Sequence, residues 1–331
     1  MTARGRADSA TLPAVKPNPR WRHSRIGALV LVAVAAVAVT GCSGKSSSPQ
    51  ATSKAESAGS TAPSTSPPTP AAQQSVLPFT GLKNPQSLAV DAAGDVFVVD
   101  YEGGAPTARG HVVKLAAGSS TQTVLPFTDL DHPGEVTVDA TGSVYVTDYP
   151  KHRVVKLAAG SNASTVLPVS DLQGPAGVAV DAAGNIYVVD ADKLRVVKLA
   201  AGSNASTVLP FTDLQGPGEV AVDTGGNVYV VDNNTRRQSF RVLKLAAGSN
   251  AQTVLPFNGL NLPTDVAVDT TGNVYVVDRD NRRVLKLAAG SNNQTVLPVT
   301  GTSVAGVAVD TTGAVYVSDQ DTQRVVKLPA G

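Results

Sequence analysis

Three carboxylates occupy one register position of a repeating chain. Glu135, Glu219 and Asp265 each stand four residues ahead of a V-D aspartate, where the other copies of the repeat carry Ser87, Gly177 and Gly306. Carboxylates converging from separate segments are the oxygen-rich donor set that a hard cation such as Ca²⁺, or a cationic ligand, requires. The same pattern also suits three solvated side chains at loop ends, and a ring only half acidic favours that plainer reading. Past residue 74 the histidines are His111, His132 and His152, and they fall at different places in their copies. A shared histidine metal centre is therefore not expected. No G-x-S-x-G nucleophile motif is present. No catalytic residue is assigned, and no cofactor is expected other than Ca²⁺ at the three carboxylates.

The elements that position these groups follow from repetition. Six copies of a unit of roughly 42 residues run from Ser75 to Gly331. Each copy reads T-V-L-P-F/V, a polar loop, V-A-V-D-x-x-G-N-V-Y-V-V-D, and R-V-V-K-L-A-A-G-S. Four strands are expected per copy; in the fifth they are 265–269, 273–278, 283–287 and 294–298, each β-branched or aromatic and bounded by Gly, Asn, Asp or Pro. The D-x-x-G segments, from Asp91 with Gly94 to Asp310 with Gly313, read as Asx-turns, which explains the first set of aspartates without chemistry. Ala89, Thr137, Ala179, Ala221, Ala267 and Ala308 mark one strand, and Phe97, Tyr145, Tyr187, Tyr229, Tyr275 and Tyr316 the next. Small residues near an axis and bulky ones farther out are what wedge-shaped blades demand. The repeat opens on a fourth strand, Ser75–Phe79, and closes on a third, Arg324–Leu328. The expected fold is thus an all-β, six-bladed propeller over 75–331, closed by pairing the N-terminal strand with the last blade, which removes the open edges.

Variation concentrates between the second and third strands. The interval from strand-closing aspartate to lysine is 14 residues in the first copy (Asp100 to Lys114), 12 in the fourth (Asp232 to Lys244) and 8 elsewhere. Long loops on a rigid scaffold often carry binding. Copies 1 and 4 lie opposite each other in a six-fold ring, so Glu102, Arg109, Arg236, Arg237 and Phe240 are candidate interaction residues at one channel mouth. Unordered drift in a surface loop would leave the same pattern.

The front of the chain has another composition. Residues 1–74 hold eight Lys/Arg against two Asp/Glu, whereas the repeat holds nineteen against twenty-four, a net of −5. A mildly acidic domain is a poor match for nucleic acid. A basic cluster at Arg20–Arg25 precedes the apolar run Ile26–Val39, which has the length of a signal-peptide core and is short of the roughly 20 residues of a membrane span. It ends in Val39-Thr40-Gly41-Cys42, which resembles a bacterial lipobox. That resemblance implies cleavage before Cys42, lipidation of this single cysteine and attachment to the outer face of a bacterial, actinobacterial-type cell membrane. Residues 1–41 are read as signal peptide and 42–74, rich in Ser, Thr, Pro and Ala, as a disordered tether. An uncleaved anchor is the alternative.

Pro175-Ala176-Gly177-Val178-Ala179-Val180-Asp181 and Asp278-Arg279-Asp280-Asn281-Arg282-Arg283-Val284 resemble the NHL repeat. The L-A-A-G-S-x-x-Q-T-V-L-P-F linker is similar to the extracellular sensor propeller of mycobacterial receptor-type serine/threonine kinases. No Gly-rich phosphate loop, V-A-I-K, H-R-D or D-F-G motif accompanies it. The resemblance implies a lipid-anchored binding, sensing or scaffold module whose partner is an envelope protein or small ligand. Propeller lyases and lactonases (amidating-lyase, streptogramin-lyase or lactonase type) are the enzymatic alternative, and a purely structural envelope scaffold is the third.

Overall fold

The computed structural model describes residues 74–102, 109–301 and 303–331; the reading of Cys42, the signal peptide and the tether falls outside them. The described chain forms six four-stranded antiparallel sheets. Blade 1 is Pro85–Val90, Val96–Tyr101, Gly110–Leu115 and Gln122–Val124, from inner to outer strand. Blades 2 to 5 repeat this order. Blade 6 takes Val304–Val309, Val315–Asp319 and Arg324–Leu328 from one end of the repeat and Ser75–Val76 from the other. Ser75 pairs with Lys327 and Val76 with Val326, and the Leu77 N–H adds a bond of 2.9 Å to the Val325 carbonyl. Inner strands pack in cyclic order, blade 6 against blade 1. The expected closed propeller is the observed one.

Strand limits differ slightly from expectation. In blade 5 the inner strand is Pro263–Val268 and the outer one Gln294–Val296. A proline needs no ladder partner at a strand's first position and cannot continue one, so Pro263 opens a strand and Pro298 lies beyond one.

Burial follows the wedge argument. Ala89 pairs with Phe97 and Ala267 with Tyr275, and the second strands are buried at every position in blades 2, 3, 5 and 6. The turn aspartates behave as Asx residues: Asp269 Oδ1 accepts the N–H groups of Thr271 and Asn273, each at 2.9 Å, while Gly272 sits at φ 85°. Its other oxygen accepts the Tyr275 hydroxyl at 3.0 Å, and Lys286 lies over the Tyr275 ring, 5.5 Å from its centroid. All six blades stack the third-strand lysine on the second-strand ring in this way.

A second repeated device locks the loops of the other rim. Asp278, fully buried, accepts the Asn261 N–H at 2.6 Å and Arg283 Nε at 2.7 Å. Arg283 also reaches the Gly259 carbonyl at 3.0 Å. Asp148 with Arg153, Asp190 with Arg195 and Asp232 with Arg241 do the same. A glutamine on the outer strand ties four blades to the crossover entering them. Gln294 binds both backbone groups of Asn258, at 2.9 Å each; Gln122 holds Thr80, Gln252 holds Thr212 and Gln74 holds Thr300. Blades 2 and 3 carry Ser164 and Ser206 at this place.

Candidate functional site

Each inner strand breaks register near its third residue, between positions 1 and 4 in five blades and between Pro263 and Asp265 in blade 5. Such a bulge re-aims a side chain. Here it places the third residue between neighbouring inner strands: Ser87 Oγ accepts the Val136 N–H at 3.1 Å, and Asp265 Oδ2 the Val307 N–H at 2.7 Å. Below them runs an axial channel of about 150 Å³, lined by Glu135, Asp265 and the last residues of the inner strands, such as Ala89, Val138 and Ala308. Most of its lining residues are valine and alanine, yet polar atoms make up the larger part of the surface it exposes.

The structure brings Glu135, Glu219 and Asp265 together and corrects their expected solvation. Glu135 is 9% exposed and Asp265 5%. The Glu135 carboxyl faces Glu219 and the Ser87 hydroxyl, and its N–H donates to Thr147 Oγ1 at 2.9 Å. Glu219 reaches it over Gly177, where an added Cβ would stand 2.7 Å from Glu219 Oε2. Asp265 Oδ1 accepts the Val266 N–H at 2.6 Å. Burial, then the neighbouring charges of Glu219 and Asp265, push the Glu135 carboxyl well above its ordinary range. Burial and the Asp265 charge do the same to Glu219. Asp265 is pushed up to about 7 by burial, against the two N–H donors that hold it down. Glu135 and Asp265 are therefore buried and Glu219 half-buried with its Oε2 shielded, a converging cluster rather than three solvated ends.

A cation would need these oxygens free and convergent. Both oxygens of Asp265 are committed to backbone N–H groups, and Glu219 Oε2 is a buried oxygen without a partner among the described residues. Among the described residues no group of three or more His, Cys, Asp or Glu is disposed to hold a metal. The donor set in this arrangement does not fit Ca²⁺.

The histidines do not meet. His132 stacks on Tyr101 at 4.6 Å between centroids, His152 Nδ1 contacts the Gln173 carbonyl at 2.5 Å, and His111 lies 3.8 Å from Glu102.

The two long intervals are hairpin extensions. In blade 4, Val228–Asn234 and Ser239–Leu245 stay paired out to Asn234 with Ser239. The Arg237 N–H closes the turn onto Asn234, 3.2 Å from its carbonyl. Arg236 and Arg237 are exposed at its tip, and Phe240 is half-buried opposite Asn233. In blade 1, Tyr101 pairs with Gly110 and the Glu102 N–H bonds to the Arg109 carbonyl at 3.1 Å; Glu102 and Arg109 are exposed, and the rest of that loop lies outside the described residues. Blades 2, 3 and 5 use one turn of 3-10 helix instead, at Tyr149–Lys151, Ala191–Lys193 and Arg279–Asn281. Both hairpins grip the next blade at the same place: Tyr101 donates to the Pro133 carbonyl at 2.5 Å and Asn233 Nδ2 to the Pro263 carbonyl at 2.7 Å.

A larger concavity, about 480 Å³, lies on the opposite rim between blades 6 and 1. It is lined by Ala and Gly turns with Asp310, Tyr316 and Lys327 at one side. That aspartate and tyrosine are already bonded to each other, at 2.9 Å.

Sequence reasoning missed two sets of residues that shape the axis. Thr147 and Ser318 replace a second-strand valine and bridge adjacent inner strands, Thr147 to the Ala176 carbonyl at 2.9 Å and Ser318 to that of Gln86 at 2.5 Å. A hydroxyl inside a V-Y-V-V-D run was the available signal. For the buried Asp–Arg locks the signal was D-x-x-x-x-R, present in blades 2, 3, 5 and 6.

Residues 133–330 match the family profile described as SMP-30/gluconolactonase/LRE-like region. No curated protein matches the sequence significantly. Among solved structures, the gluconolactonase XC5397 from Xanthomonas campestris aligns with TM-score 0.64 at 16% identity, over 78% of this chain and 90% of that one. A chain of a nidogen/laminin complex aligns with TM-score 0.62 at 20% identity, over 71% and 89%. A streptogramin B lyase aligns with TM-score 0.58 at 12% identity, over 78% and 98%. At these identities the likeness is one of fold.

Proposed function

The chain belongs to the SMP-30/gluconolactonase/LRE-like family, and from that premise we propose that it is a binding propeller, lipid-anchored through Cys42 outside the cell membrane, that meets an envelope partner with its hairpin rim. The observation that carries this reading is the contrast between axis and rim. At the axis Glu135 and Asp265 are buried, Glu219 is half-buried, and Asp265 bonds across to the next blade. At the rim, blade 4 projects a hairpin that the repeat does not require, and blade 1 extends its ladder to Tyr101 with Gly110. The linker likeness to a sensor propeller and the lipobox at 39–42 support an extracytoplasmic, non-catalytic role. The test is crosslinking in the native envelope, comparing the parent chain with one whose two long intervals are cut to eight residues. Capture lost on trimming, with the melting temperature unchanged, is the expected result; capture that survives trimming refutes the rim reading.

One observation favours a lactonase- or lyase-type reading. Glu219 Oε2 is buried without a partner beside two other carboxyls, and perturbed carboxyls of this kind can serve as general acids or bases. Turnover of a lactone or a streptogramin that vanishes in Glu219→Gln would establish it. A partner-free, inactive chain would be the scaffold.

A further inference from the structure

Charge is not spread evenly over the hairpin rim. In blades 2 and 3 the cations of the 3-10 turns are neutralised locally: Lys151 pairs with Asp129 at 2.5 Å, and Lys193 with Asp171. Blade 5 has Gly259 where those aspartates stand, and its turn carries Arg279 and Arg282. Blade 4 adds Arg236 and Arg237 on its hairpin. None of these four guanidinium groups has an ion pair or side-chain hydrogen bond among the described residues, whereas Arg241 and Arg283 of the same blades are held by Asp232 and Asp278.

The two loops share a floor. Asn233, at the root of the hairpin, donates to the Pro263 carbonyl at 2.7 Å, and the Asp280 N–H, inside the blade 5 turn, donates to the Asn261 carbonyl at 3.1 Å. Residues 261–263 therefore bring both arginine pairs onto one sector, and the bonded turn at Asn234–Arg237 presents them without a further ordering step.

Building on the rim reading above, we infer that Arg236, Arg237, Arg279 and Arg282 form a docking patch for an acidic segment of a partner protein. Free guanidinium forks match carboxylates in paired geometry, and arginine is enriched where proteins meet. Two observations select a polypeptide over a uniform polyanion. Exposed Asp280 stands between Arg279 and Arg282 in the chain, and exposed Asp213 holds Arg241 of blade 4 through its carbonyl; both would repel an unbroken anionic surface, while a mixed sequence can place a cation against them. Leu194, 45% exposed in the corresponding turn of blade 3, adds an apolar contact on the same rim. Ser75 opens its strand on the A-A-G-S rim, opposite the patch.

The test measures binding of a fluorescein-labelled peptide of Asp, Glu and Leu to the full chain at low salt, beside polyphosphate and phosphatidylglycerol vesicles. Replacing the four arginines by alanine should weaken peptide binding about tenfold or more, with the thermal melt unchanged, and added salt should do likewise. K151A/K193A, which removes neutralised cations of the same rim, should leave it within about twofold. Equal binding by parent and arginine-free chains, or preference for polyphosphate or vesicles, overturns the patch. Peptide binding that ignores the arginines yet disappears on trimming the hairpins overturns the charge argument alone; binding lost only through changes to the A-A-G-S turns overturns the rim reading as well.

Discussion

Replacing Glu135 and Glu219 together by glutamine should make the propeller more stable in alkali, the reverse of what a metal site would show. In the folded chain the axial carboxyls keep their protons to higher pH than they do once unfolded, because burial disfavours the anions and each anion repels the next. A folded-state value raised above the unfolded one means that stability is fully present below pH ~4 and is lost as pH climbs through the folded value. For Asp265 the rise is from 3.8 to about 7, which at about 1.4 kcal/mol per tenfold in proton affinity is a loss of roughly 4 kcal/mol by slightly alkaline pH. The ionisation belongs to the trio, so the sum is shared. Glutamines at 135 and 219 keep the length and the hydrogen-bonding capacity and remove two of the three charges. Urea unfolding from pH 5 to pH 9 should show the parent losing more stability across this range than the double variant, which keeps only the loss set by the burial of Asp265. Ca²⁺ at pH 8 should shift neither. A parent curve that is flat or rises with pH would refute the reasoning. So would a Ca²⁺-dependent stabilisation, abolished in the variant, since mass action raises stability only where the folded state holds the ion.

Arg283→Ala leaves Asp278 buried with its charge short of one partner, and should cost about 2–3 kcal/mol in chemical denaturation; the double variant with Asp278→Asn should recover part of that loss. Deleting residues 75–79 removes the outer strand of blade 6 together with Leu77 and Phe79, which pack against the buried cluster of Leu82, Val98 and Tyr316. A loss of about 3 kcal/mol, or roughly 10 °C in melting temperature for a domain of this size, is expected by calorimetry. Cys42→Ala should abolish acylation, read as loss of the lipid mass in the intact protein and release from the membrane fraction.

The fold was legible because every level of the repeat agreed. D-x-x-G marked each turn, the alanine and tyrosine columns marked radial depth, and the offset between Ser75 and Leu328 marked the closure. The axis was harder to read. Whether Glu135 and Glu219 meet water or each other depends on a bulge in the inner strand and on the missing side chain at Gly177, neither of which a linear pattern displays. Spacing located the long intervals at 100–114 and 232–244, but not that one sequence of twelve would continue a ladder to Asn234 while shorter ones coil into a 3-10 turn. The arginine patch was half visible, as Arg236 and Arg237. Arg279 and Arg282 joined it only when blade 5 was seen to lack the aspartate that quiets the lysines of blades 2 and 3.

The glutamine ties between outer strands and crossovers divide the ring into unequal sectors. They clamp the joints into blades 4, 5, 6 and 1, whereas at the joint into blade 2 the corresponding contact is a hydroxyl pair, Thr128 with Ser164, at 3.4 Å, and blade 3 has Ser206 in place of the glutamine. Amide exchange should therefore begin in the outer strands of blades 2 and 3, the least tied arc, and spread from there. The wheel has a soft third and a stiff remainder. Blades 4 and 5, which hold out the four unpaired arginines, belong to the stiff part, so whatever lands on them meets a surface whose breathing is carried elsewhere.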